Sequence, residues 1–188
     1  MAALRTFFAI ELGRGARHSA LAVLEALRDR PGGDALRWVR PESLHVTLRF
    51  LGATEPSQVP ELLDAVGAAV AGQASFELGL GPLSGFPSPR RPRVVALGLE
   101  PEAPVAALAA AVEDGARAAG WPAEERPFRP HLTLGRLRRG RKPSADLVTA
   151  SVTPAREAWE VRDVVLFQSQ LSPGGARYAP LARIPLHP

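Results

Sequence analysis

Apolar and polar positions along the chain follow two periods. Leu4–Leu12 holds an unbroken apolar run, Phe7–Ile10, and Leu44–Gly52 alternates apolar with polar residues; both predict strands. Arg14–Arg28 carries Ala20, Leu21, Leu24 and Leu27 near helical spacing and is stopped by Pro31-Gly32-Gly33. Val59, Leu62, Leu63, Val66 and Val70 repeat as i, i+3, i+4, i+7, i+11. Val105, Leu108, Ala109, Val112 and Ala116 do the same within Glu102–Ala119. Those two stripes predict helices whose apolar sides face the core. Shorter strands are predicted at Leu36–Val39, Ser75–Leu83, Arg93–Leu99, Phe128–Leu137, Arg156–Val161, Val164–Leu171 and Arg177–Ile184, and a short helix at Ser144–Ala150. Pro82–Pro92 reads as an exposed loop and Pro173-Gly174-Gly175 as a turn.

These elements repeat. A strand at Phe7, a helix, and Leu44-His45-Val46-Thr47-Leu48 are answered by a strand at Val95, a helix, and Pro130-His131-Leu132-Thr133-Leu134. The strand-to-histidine intervals are 38 and 36 residues, and a Pro-Ser pair comes after each histidine at 11 and 12 residues. A duplicated unit of strands and helices with no glycine-rich nucleotide loop predicts an α+β fold. We expect one domain over residues 1–188 with two pseudo-symmetric lobes. Each lobe is a largely antiparallel sheet with outer helices, and the two His-x-Thr strands face one another across a central cleft.

Composition narrows the chemistry. The 188 residues are 46% hydrophobic and 22% charged, a globular balance. There is no cysteine, which excludes disulfides, thiol catalysis and thiolate metal sites. No apolar run approaches the roughly 20 residues of a membrane span, and Phe7–Ile10 is too short for a secretory signal. A cytoplasmic protein without a membrane partner is expected. The net charge is +4, and the basic residues are 22 arginines and Lys142. A basic, arginine-dominated surface suits a polyanion, because the planar guanidinium fork matches phosphate.

Alternation within the strands then sorts the candidate chemistry. Val46, Leu48 and Phe50 share a core-directed face, leaving His45, Thr47 and Arg49 on the other. Leu132 and Leu134 likewise turn inward while His131 and Thr133 turn away. Two imidazoles titrating near neutrality can serve as general acid and general base. Threonine hydroxyls and arginine can bind phosphoryl oxygens. In-line displacement at phosphorus needs a base and an acid on opposite sides, which a two-fold arrangement supplies. A cyclic phosphodiester is a natural substrate. No His-Glu-x-x-His motif or histidine cluster is present, so neither a metal nor a cofactor is expected.

Two stretches resemble a known family. Arg37-Trp38-Val39-Arg40-Pro41-Glu42-Ser43-Leu44-His45-Val46-Thr47-Leu48-Arg49-Phe50-Leu51-Gly52 and Phe128-Arg129-Pro130-His131-Leu132-Thr133-Leu134-Gly135-Arg136 are similar to the two-histidine phosphoesterases. The similarity is to their LigT-like RNA 2′,3′-cyclic phosphodiesterase branch, the 2′-5′ RNA ligase family. Arg5–Leu12 resembles the family's opening strand. The resemblance implies metal-independent opening of RNA 2′,3′-cyclic phosphate ends to 2′-phosphates. It implies His45 and His131 as the catalytic pair, with Thr47, Thr133 and Arg136 on the phosphate. We expect His45 as general acid and His131 as general base.

Strict alternation would turn Arg136 toward the Leu132/Leu134 face unless Gly135 marks a bulge. If the strand runs regular through Arg136, Arg49, in phase with His45, is the substitute. Arg138 and Arg139, after the second motif, and Arg49 are candidate RNA contacts. Phe86 and Phe128 are the better candidates for stacking on a base, since Phe50 is in phase with the core. A monomer acting on RNA with a 2′,3′-cyclic phosphate terminus is expected. The alternatives are 2′-5′ ligation of tRNA halves, a cyclic phosphodiesterase for a small nucleotide, and a non-catalytic RNA-binding module.

Overall fold

Strand β1 (Leu4–Glu11) is apolar on both faces because its central residues, Thr6–Ile10, are buried on both sides of the sheet. Phe8 and Ile10 join the main core, whereas Phe7 and Ala9 join a second cluster with Val165 and Phe167. The computed structural model describes residues 2–142, 144–150, 152–172 and 175–188. Pro143 of the second Pro-Ser pair and Pro173-Gly174 of the predicted turn lie outside them.

The remaining elements are α1 (Arg14–Arg28), β2 (Leu36–Trp38), β3 (His45–Thr54), α2 (Val59–Val70), β4 (Phe76–Phe86), β5 (Val94–Glu100), α3 (Glu102–Ala118), β6 (Leu132–Leu137), β7 (Ala158–Val161), β8 (Asp163–Ser172) and β9 (Gly175–Pro185). The strands form two antiparallel sheets, in the orders β3-β1-β8-β9 and β2-β6-β5-β4-β7. The architecture is α+β, as expected. In each sheet a motif strand, β3 or β6, lies beside the strand that opens its repeat, β1 or β5.

The two halves exchange elements. β2, from the first half, is the edge strand beside β6, and β8 and β9 complete the sheet of β1. Helix α1, leaving β1, packs on the sheet of β2, β4, β6 and β7; α3, leaving β5, packs on β3 and α2. All three helices therefore contribute to one continuous core, with Leu24 and Leu27 of α1, Val66 of α2, and Leu108 and Val112 of α3.

Several boundaries differ from the sequence reading. Ser144–Ala150 holds only a 3-10 turn, Ala145–Leu147. β4 runs to Phe86, into the predicted loop, because its pairing with β5 continues through Phe86↔Val94. β6 starts at Leu132 rather than Phe128, since Pro127 and Pro130 have no N–H to donate to a ladder.

Candidate active site

The first histidine is held by its own chain. Arg17 on α1 donates to the carbonyl of Pro41 (2.7 Å), anchoring the 3-10 turn Pro41–Ser43 that precedes β3. That turn brings the Ser43 carbonyl to 2.7 Å from His45 Nδ1. A carbonyl only accepts, so Nδ1 carries the proton and Nε2 of the neutral ring carries the lone pair. Thr47 Oγ1 then donates to Nε2 at 3.0 Å. Rings surround the imidazole: Phe7 and Tyr178 lie 4.9 Å away, Tyr178 edge-on, and Phe167 lies at 6.4 Å.

The second histidine repeats the device. His131 Nδ1 donates to the carbonyl of Arg129, again two residues back, at 2.7 Å. Its Nε2 therefore also carries the lone pair. Phe86 packs against the ring at 5.0 Å, and the Arg129 guanidinium lies over Phe86 at 5.9 Å. The half-buried Thr133 side chain makes no hydrogen bond to another described residue.

Matching bulges reorient the chain after each threonine. Ala9 pairs with Thr47 and Phe8 with Arg49, so Leu48 is the extra residue in β3. Ala96 pairs with Thr133 and Val95 with Gly135, so Leu134 is the extra residue in β6. One inserted residue exchanges the faces of everything after it. Arg136 thereby returns to the histidine side, as a bulge at Gly135 was expected to allow. A Cβ on Gly135 would lie 2.9 Å from the Trp38 ring, so the bulge needs glycine there.

In β3 the same insertion overturns two expectations. Arg49 is turned inward and is 8% exposed. It ion-pairs with Glu113 and Glu124 (3.5 Å to the latter) and donates to the carbonyl of Pro122 at 2.5 Å. It is unavailable to RNA. Phe50, expected in the core, is 46% exposed and sits 5.7 Å from Phe7 on the histidine side. Phe50 and Arg136 occupy equivalent places in the two repeats.

Electrostatics follow from this packing. Burial, above all, pushes His45 from 6.5 down to about 4; the nearby charges of Arg136, Arg17 and His131 add to it, and the Ser43 carbonyl opposes it. His131 is lowered in the same way, first by burial and then by Arg136, against the Arg129 carbonyl. Arg136 is thus close enough to act on both rings.

Other predicted residues are less central. Arg138 is exposed and donates from Nε to the Leu36 carbonyl at 3.1 Å; Arg139 is exposed without a described partner. Phe86 is against His131 rather than free in a loop, and Phe128 is 36% exposed with no ring contact to either histidine. Sequence reasoning missed Phe7, Phe167 and Tyr178, whose only signal was the two-sided hydrophobicity of their strands. It missed Arg17 because nothing in a helix face announces a distant carbonyl. Among the described residues, no three potential metal ligands converge, and no helix is long and apolar enough to cross a membrane. Two surface concavities, one lined by Gly15, His18 and Val152 and the other by Leu78, Pro101 and Arg156, hold none of the motif residues.

The pair of pinned imidazoles can be set beside known proteins. Residues 16–172 match the model of the 2′-5′ RNA ligase superfamily. The chain belongs to that superfamily. It is similar to the RNA 2′,3′-cyclic phosphodiesterase of Archaeoglobus fulgidus, 30% identical over 178 residues, which are 95% of this chain and 98% of that one. A Geobacillus stearothermophilus protein of the same description is 31% identical over 149 residues, 79% of this chain; the match spans only 47% of that relative's length. The crystal structure of E. coli LigT in apo form superposes with a TM-score of 0.77 at 28% identity, over 100% of both chains. The superfamily match includes both bulged motif strands, so the duplicated site lies within the shared region.

Proposed function

We propose that this superfamily member is an RNA 2′,3′-cyclic phosphodiesterase, opening cyclic ends to 2′-phosphates without a metal. The observation that carries this reading is the symmetric pair of Nε2 lone pairs, each fixed by its own i−2 carbonyl, with Arg136 acting on both rings. The cyclic phosphate is a monoanion. Placed between the rings, it takes the Arg136 fork and the hydroxyls of Thr47 and Thr133 on its non-bridging oxygens. Its charge offsets that of Arg136, so the pKa of both histidines rises on binding, and one ring becomes protonated.

His131 Nε2 takes a proton from the attacking water as the new P–O bond forms. The P–O3′ bond breaks opposite, and His45 Nε2–H gives its proton to the departing O3′. The products are a 3′-hydroxyl and a 2′-phosphate, and the second proton transfer restores the charge of the pair. Phe50, the exposed counterpart of Arg136 in the first repeat, is the ring we assign to the terminal base, the role expected of Phe86 or Phe128.

Superfamily relatives named as RNA 2′,3′-cyclic phosphodiesterases support the substrate class. The same site would join ends if a 5′-hydroxyl replaced water as the attacking group: the P–O5′ bond forms, the P–O3′ bond breaks, and a 2′-5′ linkage with a free 3′-hydroxyl results. The test is an RNA oligonucleotide with a 2′,3′-cyclic phosphate, incubated with excess EDTA in ¹⁸O-water. We expect a 2′-phosphate carrying one ¹⁸O. A 3′-phosphate, or activity abolished by EDTA, would overturn the reading.

A further inference from the structure

We propose that Arg37 forms a second phosphate subsite beside Arg136, taking the internal phosphodiester next to the terminal nucleotide of an RNA strand. This rests on the reading of the site as an RNA cyclic phosphodiesterase and adds to it a preference for a chain over a mononucleotide. Arg37 lies on β2 directly across from Arg136 on β6. Residues paired across two strands project to the same face, with Cα atoms about 5 Å apart. The neighbouring pair, Trp38 and Gly135, confirms the phase: Trp38 packs inward over the glycine, so Arg37 and Arg136 turn outward together.

Both arginines are exposed, and among the described residues neither is ion-paired. Like charges directly opposite across a ladder are destabilising. The acid close by in sequence, Asp34, is engaged by Arg141. Arg138, two residues beyond Arg136, has its Nε turned to the Leu36 carbonyl and adds more positive charge. β2 is an edge strand, and a charge on an edge discourages aggregation. That function would be served as well by glutamate, which would also neutralise Arg136. A pair of unneutralised guanidinium forks on one face is instead an arrangement that bound phosphate would relieve.

Arg37 stands one strand outward from Arg136 and away from β5. It is not among the charges that depress His45 or His131, whereas Arg136 acts on both. The reacting phosphate therefore belongs to Arg136, and Arg37 is left for a neighbouring one. An internal phosphodiester is the anion that the rest of an RNA substrate must bring.

The test compares a nucleoside 2′,3′-cyclic phosphate with a dinucleotide ending in the same cyclic nucleotide. A third substrate is that dinucleotide with its internal linkage made neutral as a methylphosphonate. In the wild-type protein, kcat/KM is expected to be higher for the charged dinucleotide than for the other two. Arg37→Ala should lower the ratio of dinucleotide to mononucleotide kcat/KM by about tenfold, the effect of losing roughly one charge-assisted contact. The methylphosphonate should lose the same amount in wild type and little more in the variant. The salt dependence of binding to a longer RNA should weaken by about one phosphate contact.

An equal loss on mononucleotide and dinucleotide would overturn the proposal, since Arg37 would then serve the reacting phosphate or the fold. So would a dinucleotide preference that survives Arg37→Ala. If the wild-type protein opens none of the three, the cyclic phosphodiesterase reading itself fails, and the subsite falls with it.

Discussion

His45 and His131 differ from solvent imidazoles because both are partly buried and both feel Arg136. A histidine held below its ordinary 6.5 loses its proton as pH rises through the lowered value. Catalysis needs one proton on the pair, so kcat/KM, which reports the free enzyme, should peak on the acid side of 6.5 and fall toward neutrality. The bound phosphate raises both pKa values, so the kcat profile should lie at higher pH than the kcat/KM profile. Rate measurements across pH 4 to 9 check this; a kcat/KM optimum above pH 7 would contradict it. Arg136→Met removes a positive neighbour, so both imidazoles should titrate at higher pH by NMR. Turnover should fall on the order of a hundredfold or more, as when a donor to a developing charge is lost.

At the scale of elements, the bulges decide which residues meet. Gly135→Ala would place a Cβ against Trp38, and overpacking of this kind costs about 1–3 kcal/mol. Chemical unfolding should show that loss, with activity reduced because Arg136 is the next residue. Arg49 joins β3 to α3 and to the Pro122–Glu124 segment that leads toward His131. Arg49→Met leaves Glu113 and Glu124 without their cation and should destabilise the protein by about 3 kcal/mol, read from the urea midpoint. The faces of β3 were legible only up to Thr47: alternation correctly placed His45 and Thr47, then failed at Arg49 and Phe50. A bulge leaves no hydrophobic signature of its own, and Leu48 looks like any inward leucine. In β6 the glycine supplied the missing signal. The long helices were legible because their stripes exceed ten residues. Ser144–Ala150 was not, since a single 3-10 turn has no periodicity to read.

Across the whole molecule, the repeats visible in the chain become two sheets that exchange helices and strands around one core. The duplication was legible from paired intervals; the exchange was not, because local patterning does not say which sheet a helix covers. Burying His45 also ties stability to pH. Its folded pKa of about 4 lies below the unfolded 6.5, so the unfolded state binds more protons between those values. Its contribution is fully present above 6.5 and is lost as pH falls toward 4, roughly 2–3 kcal/mol by pH 4.5. His45→Gln should remove much of that acid sensitivity, seen by comparing urea unfolding at pH 7 and pH 4.5.

The division of labour between the two histidines is tested most directly by single turnover of a 2′,3′-cyclic RNA end whose O3′ is replaced by sulfur. A thiolate leaves without protonation, so an enzyme lacking only its general acid should regain activity on this substrate. With EDTA present, His45→Ala and His131→Ala should both lose several orders of magnitude on the oxygen substrate. On the sulfur substrate, His45→Ala should recover most of its loss and His131→Ala should not. Recovery by His131→Ala alone would reverse the roles, and full activity of either variant on the oxygen substrate would contradict the two-histidine account.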